Sequence, residues 1–145
     1  MDDCLICAKH RGHGPLKGHL VVRTDGLAVY HRVDEDGSGP LGYLFLEPER
    51  HVPYVADLTD QEAMALGVLR ARLSRGLLEA TGAKFVFAMV IGTGVAHVHE
   101  HVFARHAGAP DDLPWYRSHE ASPRADESQI TELGRKLRTH LAQSN

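Results

Sequence analysis

The stretch Val95-Ala96-His97-Val98-His99-Glu100-His101-Val102-Phe103-Ala104-Arg105 constrains the fold more than any other part of the chain. Three histidines at strict two-residue spacing share a face only in an extended backbone, because strand side chains alternate sides while residues two apart on a helix diverge. The segment therefore reads as a strand. At a rise of about 3.4 Å per residue, successive imidazoles stand about 7 Å apart along one edge. A neutral imidazole is a metal ligand and a nucleophile, and its cation is a general acid near neutral pH. One such row can hold all three roles. The alternative is a solvent-facing strand in a chain that has 11 histidines.

The rest of the chain supplies partners for that strand. His19-Leu20-Val21-Val22-Arg23 and Leu27-Ala28-Val29-Tyr30-His31 flank Thr24-Asp25-Gly26, and Asp-Gly between apolar runs marks a hairpin. Residues 34–40 are polar turn formers and read as a loop. Gly42-Tyr43-Leu44-Phe45-Leu46-Glu47-Pro48 is an apolar run that ends at proline, as expected of a central strand leaving its sheet. Residues 84–91 are rich in aromatic and β-branched side chains and form a further strand, placed beside the histidine strand. Between the two, Gly92-Thr93-Gly94 suits a tight turn whose amides can also approach a phosphate.

Two segments read as helices. Thr59-Asp60-Gln61-Glu62 is a capping box, and Leu66, Leu69, Leu73, Leu77 and Ala80 follow at helical spacing up to Gly82. A final helix is expected from about residue 126 to 141, with Ile130, Leu133, Leu137 and Leu141 on one face. The fold class is thus α+β, an antiparallel sheet of about five strands with a long helix packed across it and a C-terminal helix. The 145 residues suit one domain over 1–145, with a core at about 4–106 and a C-terminal segment over 107–145. A net charge of −3 argues against duplex nucleic acid as a partner. With neither a signal-like leader nor a long apolar run, the expectation is a cytoplasmic protein that does not engage membranes.

Cys4 and Cys7 are spaced to present two thiolates to one tetrahedral zinc. His10 and His13 continue the three-residue spacing and offer a local Cys2His2 site. Distant histidines are the rival ligands.

The triad, followed by two apolar residues, together with Pro48-Glu49-Arg50-His51 and the Cys4-x-x-Cys7 pair, resembles the histidine triad superfamily of nucleotidyl hydrolases and transferases, in its zinc-containing branch. The resemblance implies a structural zinc held by Cys4, Cys7, His51 and His97. It implies His99 as the nucleophile that forms a covalent phosphohistidine, with its far ring nitrogen donating to a backbone carbonyl. His101 would be the donor to phosphate or leaving group. Thr93, Gly94 and Arg105 are the candidate substrate contacts. The implied activity is hydrolysis of a phosphoanhydride or phosphoramidate bond in a small nucleotide-like or phosphorylated substrate, by a homodimer. Alternatives are a metal-binding module with all three triad histidines as ligands, a nucleotidyltransferase, and a noncatalytic nucleotide-binding regulator. Two residues depart from the family pattern: Tyr43 stands where a histidine is usual, and Arg32 where a ribose-binding aspartate is common. Glu100 is a third departure, a carboxylate on the sheet's other face that needs an arginine or solvent.

Overall fold

The computed structural model describes residues 3–143. Five antiparallel strands, β1 (His19–Thr24), β2 (Leu27–His31), β4 (Tyr43–Pro48), β5 (Phe85–Val90) and β6 (Glu100–Arg105), form one sheet in the order β1-β2-β4-β6-β5. The β1–β2 hairpin turns on Asp25 (φ 52°) and Gly26 (φ 75°), so both central residues take the left-handed conformation that matches the twist of the flanking strands.

Helix α2 (Asp60–Thr81) starts at the expected box: the Glu62 amide donates to Thr59 Oγ1 and the Thr59 amide to Glu62. It ends at Gly82, whose φ of 69° closes the last turn. Leu66, Leu69, Leu73 and Leu77 are buried against Leu44, Leu46 and Val102 of the sheet. Helix α3 (Glu127–Gln143) covers β1 and α2 with Leu133 and Leu137. The α+β architecture expected from the sequence is thus the one observed. No helix among the described residues is long and apolar enough to cross a membrane.

Alternation along the strands separates two chemistries. Glu100, Val102 and Ala104 of β6 point to the α2 side, where Glu100 meets Arg70 of α2 at 2.8 and 3.3 Å. That arginine is the partner its buried carboxylate required. His101, Phe103 and Arg105 point to the opposite face with Tyr43, Phe45 and Glu47 of β4. This second face is covered at one end by the short helix α1 (Leu5–His10) and at the other by a 3-10 segment (Trp115–Ala121).

Four expectations are corrected. The histidine segment is not a continuous strand: β6 begins at Glu100, and residues 93–97 bend before it. The His97 amide closes a tight turn on the Val95 carbonyl (2.9 Å), and the Val98 amide donates to Val52 (2.7 Å), so tertiary bonds outcompete the sheet here. Residues 92–94 accordingly make no two- or three-residue hairpin turn. Val90 pairs with Glu100, and all of residues 91–99 form the connection. Residues 4–10 form a capped helix where only a turn was expected; one and a half turns are too few to show a period. The 34–40 loop ends in a two-residue strand β3 (Gly39–Pro40), which pairs with β7 (Arg124–Ala125), a contact without a sequence signature.

Candidate active site and metal centre

Helix α1 exists to point two sulfurs inward. Cys4 is its N-cap, accepting from the Cys7 amide at 3.3 Å, and the i, i+3 spacing puts both thiols on one face. The segment after Pro48 delivers His51, and the bend before β6 delivers His97. Cys4 Sγ lies 3.4 Å from His97 Nδ1, and Cys7 Sγ lies 3.4 and 3.5 Å from Nδ1 of His51 and His97. All four donor atoms fall within 4.8 Å of one another. Bond lengths of about 2.3 Å to sulfur and 2.0–2.1 Å to nitrogen give a tetrahedral S–N edge of about 3.5 Å, which these three sulfur–nitrogen pairs already match.

The ring chemistry agrees. His97 Nε2 faces the Pro48 carbonyl at 2.8 Å, and a carbonyl only accepts, so the proton resides on Nε2 and Nδ1 keeps its lone pair for the metal. Burial lowers the His97 pKa and so favours the neutral, ligating form. Burial first, then the Cys4 sulfur, pushes the Cys7 thiol up; a divalent cation between the sulfurs supplies the opposite bias and favours thiolate. The residues fit a structural zinc, with every donor supplied by protein. His10 is excluded from the set: it pairs with Glu47 at 2.9 Å, beside Lys9 at 2.8 Å. His13 is exposed. Of the triad only His97 joins the donor cluster, which removes the basis for a module in which all three histidines hold metal.

His99 and His101 remain on the open side. Their ring centroids are 5.3 Å apart, closer than regular strand spacing because His99 precedes β6. His99 Nδ1 lies 2.7 Å from the His97 carbonyl. That carbonyl fixes the proton on Nδ1 and leaves the Nε2 lone pair unshared. His99 lines a cavity of about 770 Å³ together with Ile6, Lys9, Arg32, Phe45 and Val95. His101 packs on Phe45 at 5.0 Å, and its Nδ1 lies 2.7 Å from the Tyr43 hydroxyl oxygen. Burial first, and the neighbouring His99 second, lower the His101 pKa to about 4, so its ring is neutral at pH 7.

The three candidate substrate contacts stand elsewhere. Thr93 is exposed, and Gly94 borders a smaller cavity beside Cys4 and His51 rather than the one at His99, because the connection swings toward the metal centre. Arg105 shares the face of His101 and Phe103, but its guanidinium donates to the carbonyls of Pro110 (2.7 Å) and Leu113 (2.9 Å) and to Ser118 Oγ (3.1 Å). It ties down the 110–118 segment. Conversely, Lys9, Phe45 and Val95 line the cavity without a sequence signal, since only α1 and the bend before β6 bring them together.

No protein-family model and no curated protein matches the chain. Solved structures do. It superposes on a Zn-bound histidine triad family protein from Mycobacterium smegmatis with a TM-score of 0.70 at 21% identity, covering 98% of this chain and 95% of that one. The chain has the histidine triad fold. A Hit-like protein from Bartonella henselae gives a TM-score of 0.67 at 14% identity over 97% and 98% of the two chains. A hypothetical histidine triad nucleotide-binding protein from Sulfolobus tokodaii gives 0.68 at 20% over 96% and 92%. Within the histidine triad fold, His97 links the two halves of the site: its ring joins the four-donor cluster and its backbone carbonyl orients the His99 ring.

Proposed function

We propose that the protein hydrolyses a phosphoanhydride or phosphoramidate bond in a nucleotide-like substrate through a phosphohistidine at His99. The observation that carries this reading is the 2.7 Å hydrogen bond from His99 Nδ1 to the His97 carbonyl, which leaves Nε2 as a free nucleophile at the wall of a cavity. In the first step Nε2 bonds to phosphorus, and the bond from phosphorus to the leaving oxygen or nitrogen breaks with its electron pair. The neutral His101 donates an Nε2–H hydrogen bond to the leaving atom as charge develops on it, and a solvent water supplies the proton the leaving atom takes and becomes hydroxide. In the second step that hydroxide attacks phosphorus and the P–N bond to His99 breaks, which returns the lone pair to Nε2 and leaves His101 unchanged. Aromatic and aliphatic walls from Ile6, Phe45 and Val95 suit a base, while Lys9 and Arg32 reach the same cavity already ion-paired with Glu47 and Asp34.

The same reading takes the protein to be a homodimer. Strand β5 ends the sheet with no further strand beside it among the described residues, and Phe85, Val90 and Ile91 at its ends are 41 to 58% exposed, an apolar edge of the kind that a second copy pairs with. The test of the chemistry is intact-mass measurement after rapid mixing with adenosine phosphoramidates and dinucleoside polyphosphates. A nucleotidyl adduct that maps to the peptide containing His99 supports the reading. Turnover that persists in His99→Ala sinks it.

A further inference from the structure

We propose that Tyr43, backed by Arg32, is a positioning residue that holds His101 in the tautomer whose proton sits on Nε2. The inference rests on the roles given above to His99 and His101 and assigns a task to two residues outside them.

Tyr43 is buried, 4% exposed, and its ring stacks on Phe103 with centroids 5.2 Å apart. A phenol has one hydrogen, and in a buried place that hydrogen needs an acceptor. Among the described residues the only acceptor at Tyr43 Oη is His101 Nδ1, at 2.7 Å. Were the imidazole proton on Nδ1, two hydrogens would face each other across that short gap or the phenol proton would be stranded. The arrangement that satisfies both groups has O–H donating to Nδ1 and the imidazole proton on Nε2.

Arg32 makes the arrangement one-way. Its guanidinium lies 5.1 Å from the Tyr43 ring centroid, held there by Asp34 at 2.9 Å, which in turn binds Arg124 at 2.8 Å. Burial first, His99 second and this Arg32 cation third disfavour a second proton on His101, against a smaller opposite pull from Glu47. His119, edge-on to Tyr43 at 5.5 Å, closes the remaining side of the phenol with a ring whose own pKa is lowered by burial first and by Arg32 second. His101 is thereby a neutral donor with its one proton on Nε2, the nitrogen not spoken for by tyrosine. Tyr43 and Arg32 are the two positions at which the site region departs from the histidine triad pattern, and here they are one device: the residue that contacts His101 and the charge that sits over it.

The test uses the full-length, zinc-loaded protein with nitrogen-15-labelled histidine. In the wild type at neutral pH, long-range proton–nitrogen spectra should show His101 with an unprotonated Nδ1 and a protonated Nε2. Tyr43→Phe keeps the ring stack and removes only the hydroxyl, so both nitrogens should move toward tautomer-averaged positions. Tyr43→His, which restores a donor, should return them. In steady state Tyr43→Phe should lower kcat about tenfold with an alkylamine leaving group, the loss of one well-placed hydrogen bond, and far less with 4-nitrophenolate, with KM unchanged in both. A wild-type His101 protonated on Nδ1, or spectra that Tyr43→Phe leaves unmoved, overturns the proposal. Turnover retained by His99→Ala overturns the catalytic reading instead, and the spectra still decide the role of Tyr43.

Discussion

Removing the metal perturbs fold and chemistry in a calculable order. A ligand bound only by the folded state stabilises it by RT ln(1 + [L]/Kd), about 2.7 kcal/mol at a free concentration one hundred times Kd. At about 2.1 cal/mol/K per residue, unfolding entropy for a chain of 145 residues is about 0.3 kcal/mol/K. One equivalent of zinc plus that excess should therefore raise the melting temperature of chelator-stripped protein by about 9 °C. Cys7 touches both His51 and His97, so Cys7→Ala leaves three donors and should reduce the zinc-induced rise to under about 3 °C. Comparing each protein with and without zinc cancels the cavity that the substitution creates. Scanning calorimetry reads the shift, and metal analysis should give one zinc per chain. Activity should fall as well, because the carbonyl that orients His99 belongs to His97. A stripped protein whose melting point zinc leaves unmoved, or a stoichiometry of two that drops on His99→Ala, would refute the assignment of the four donors.

Acid should destabilise the protein through His31, whose Nε2 accepts from the Gly42 amide at 3.0 Å and whose pKa burial lowers to about 4. Between its unfolded pKa of about 6.5 and that value the unfolded chain binds the extra proton, so stability falls as pH falls, by about 2 kcal/mol at pH 4.5. Urea titrations of wild type and His31→Gln should therefore differ in pH slope, the variant being flatter; equal slopes discard the argument. At the sheet edge, Phe85→Lys combined with Ile91→Asp should convert a dimer to a monomer by light scattering, and a wild type already at the mass of one chain refutes the pairing.

The sequence by itself determined whatever rests on local pattern. Alternation and Asp25-Gly26 specified the hairpin, Thr59 through Glu62 and Gly82 bounded α2, and the spacing of Leu66, Leu69, Leu73 and Leu77 fixed the face it buries. The spacing of Cys4 and Cys7 pointed to zinc but left His10 and His13 as rivals to distant histidines; the resemblance to histidine triad proteins supplied His51 and His97, and the fold brings those two to the sulfurs. Tertiary structure decided the rest. A two-residue period makes three histidines look equivalent, yet the Val98–Val52 bond and the pull of two cysteines turn His97 into the metal centre and shorten the strand. Arg105 reads as a phosphate contact until the 110–118 segment claims its guanidinium. Glu100 found Arg70, and Tyr43 found His101, across separations of 30 and 58 residues. Such pairings depend on which strands lie side by side and which faces are covered. Local pattern specifies what a residue can do, and long-range packing selects which of those capacities is left free.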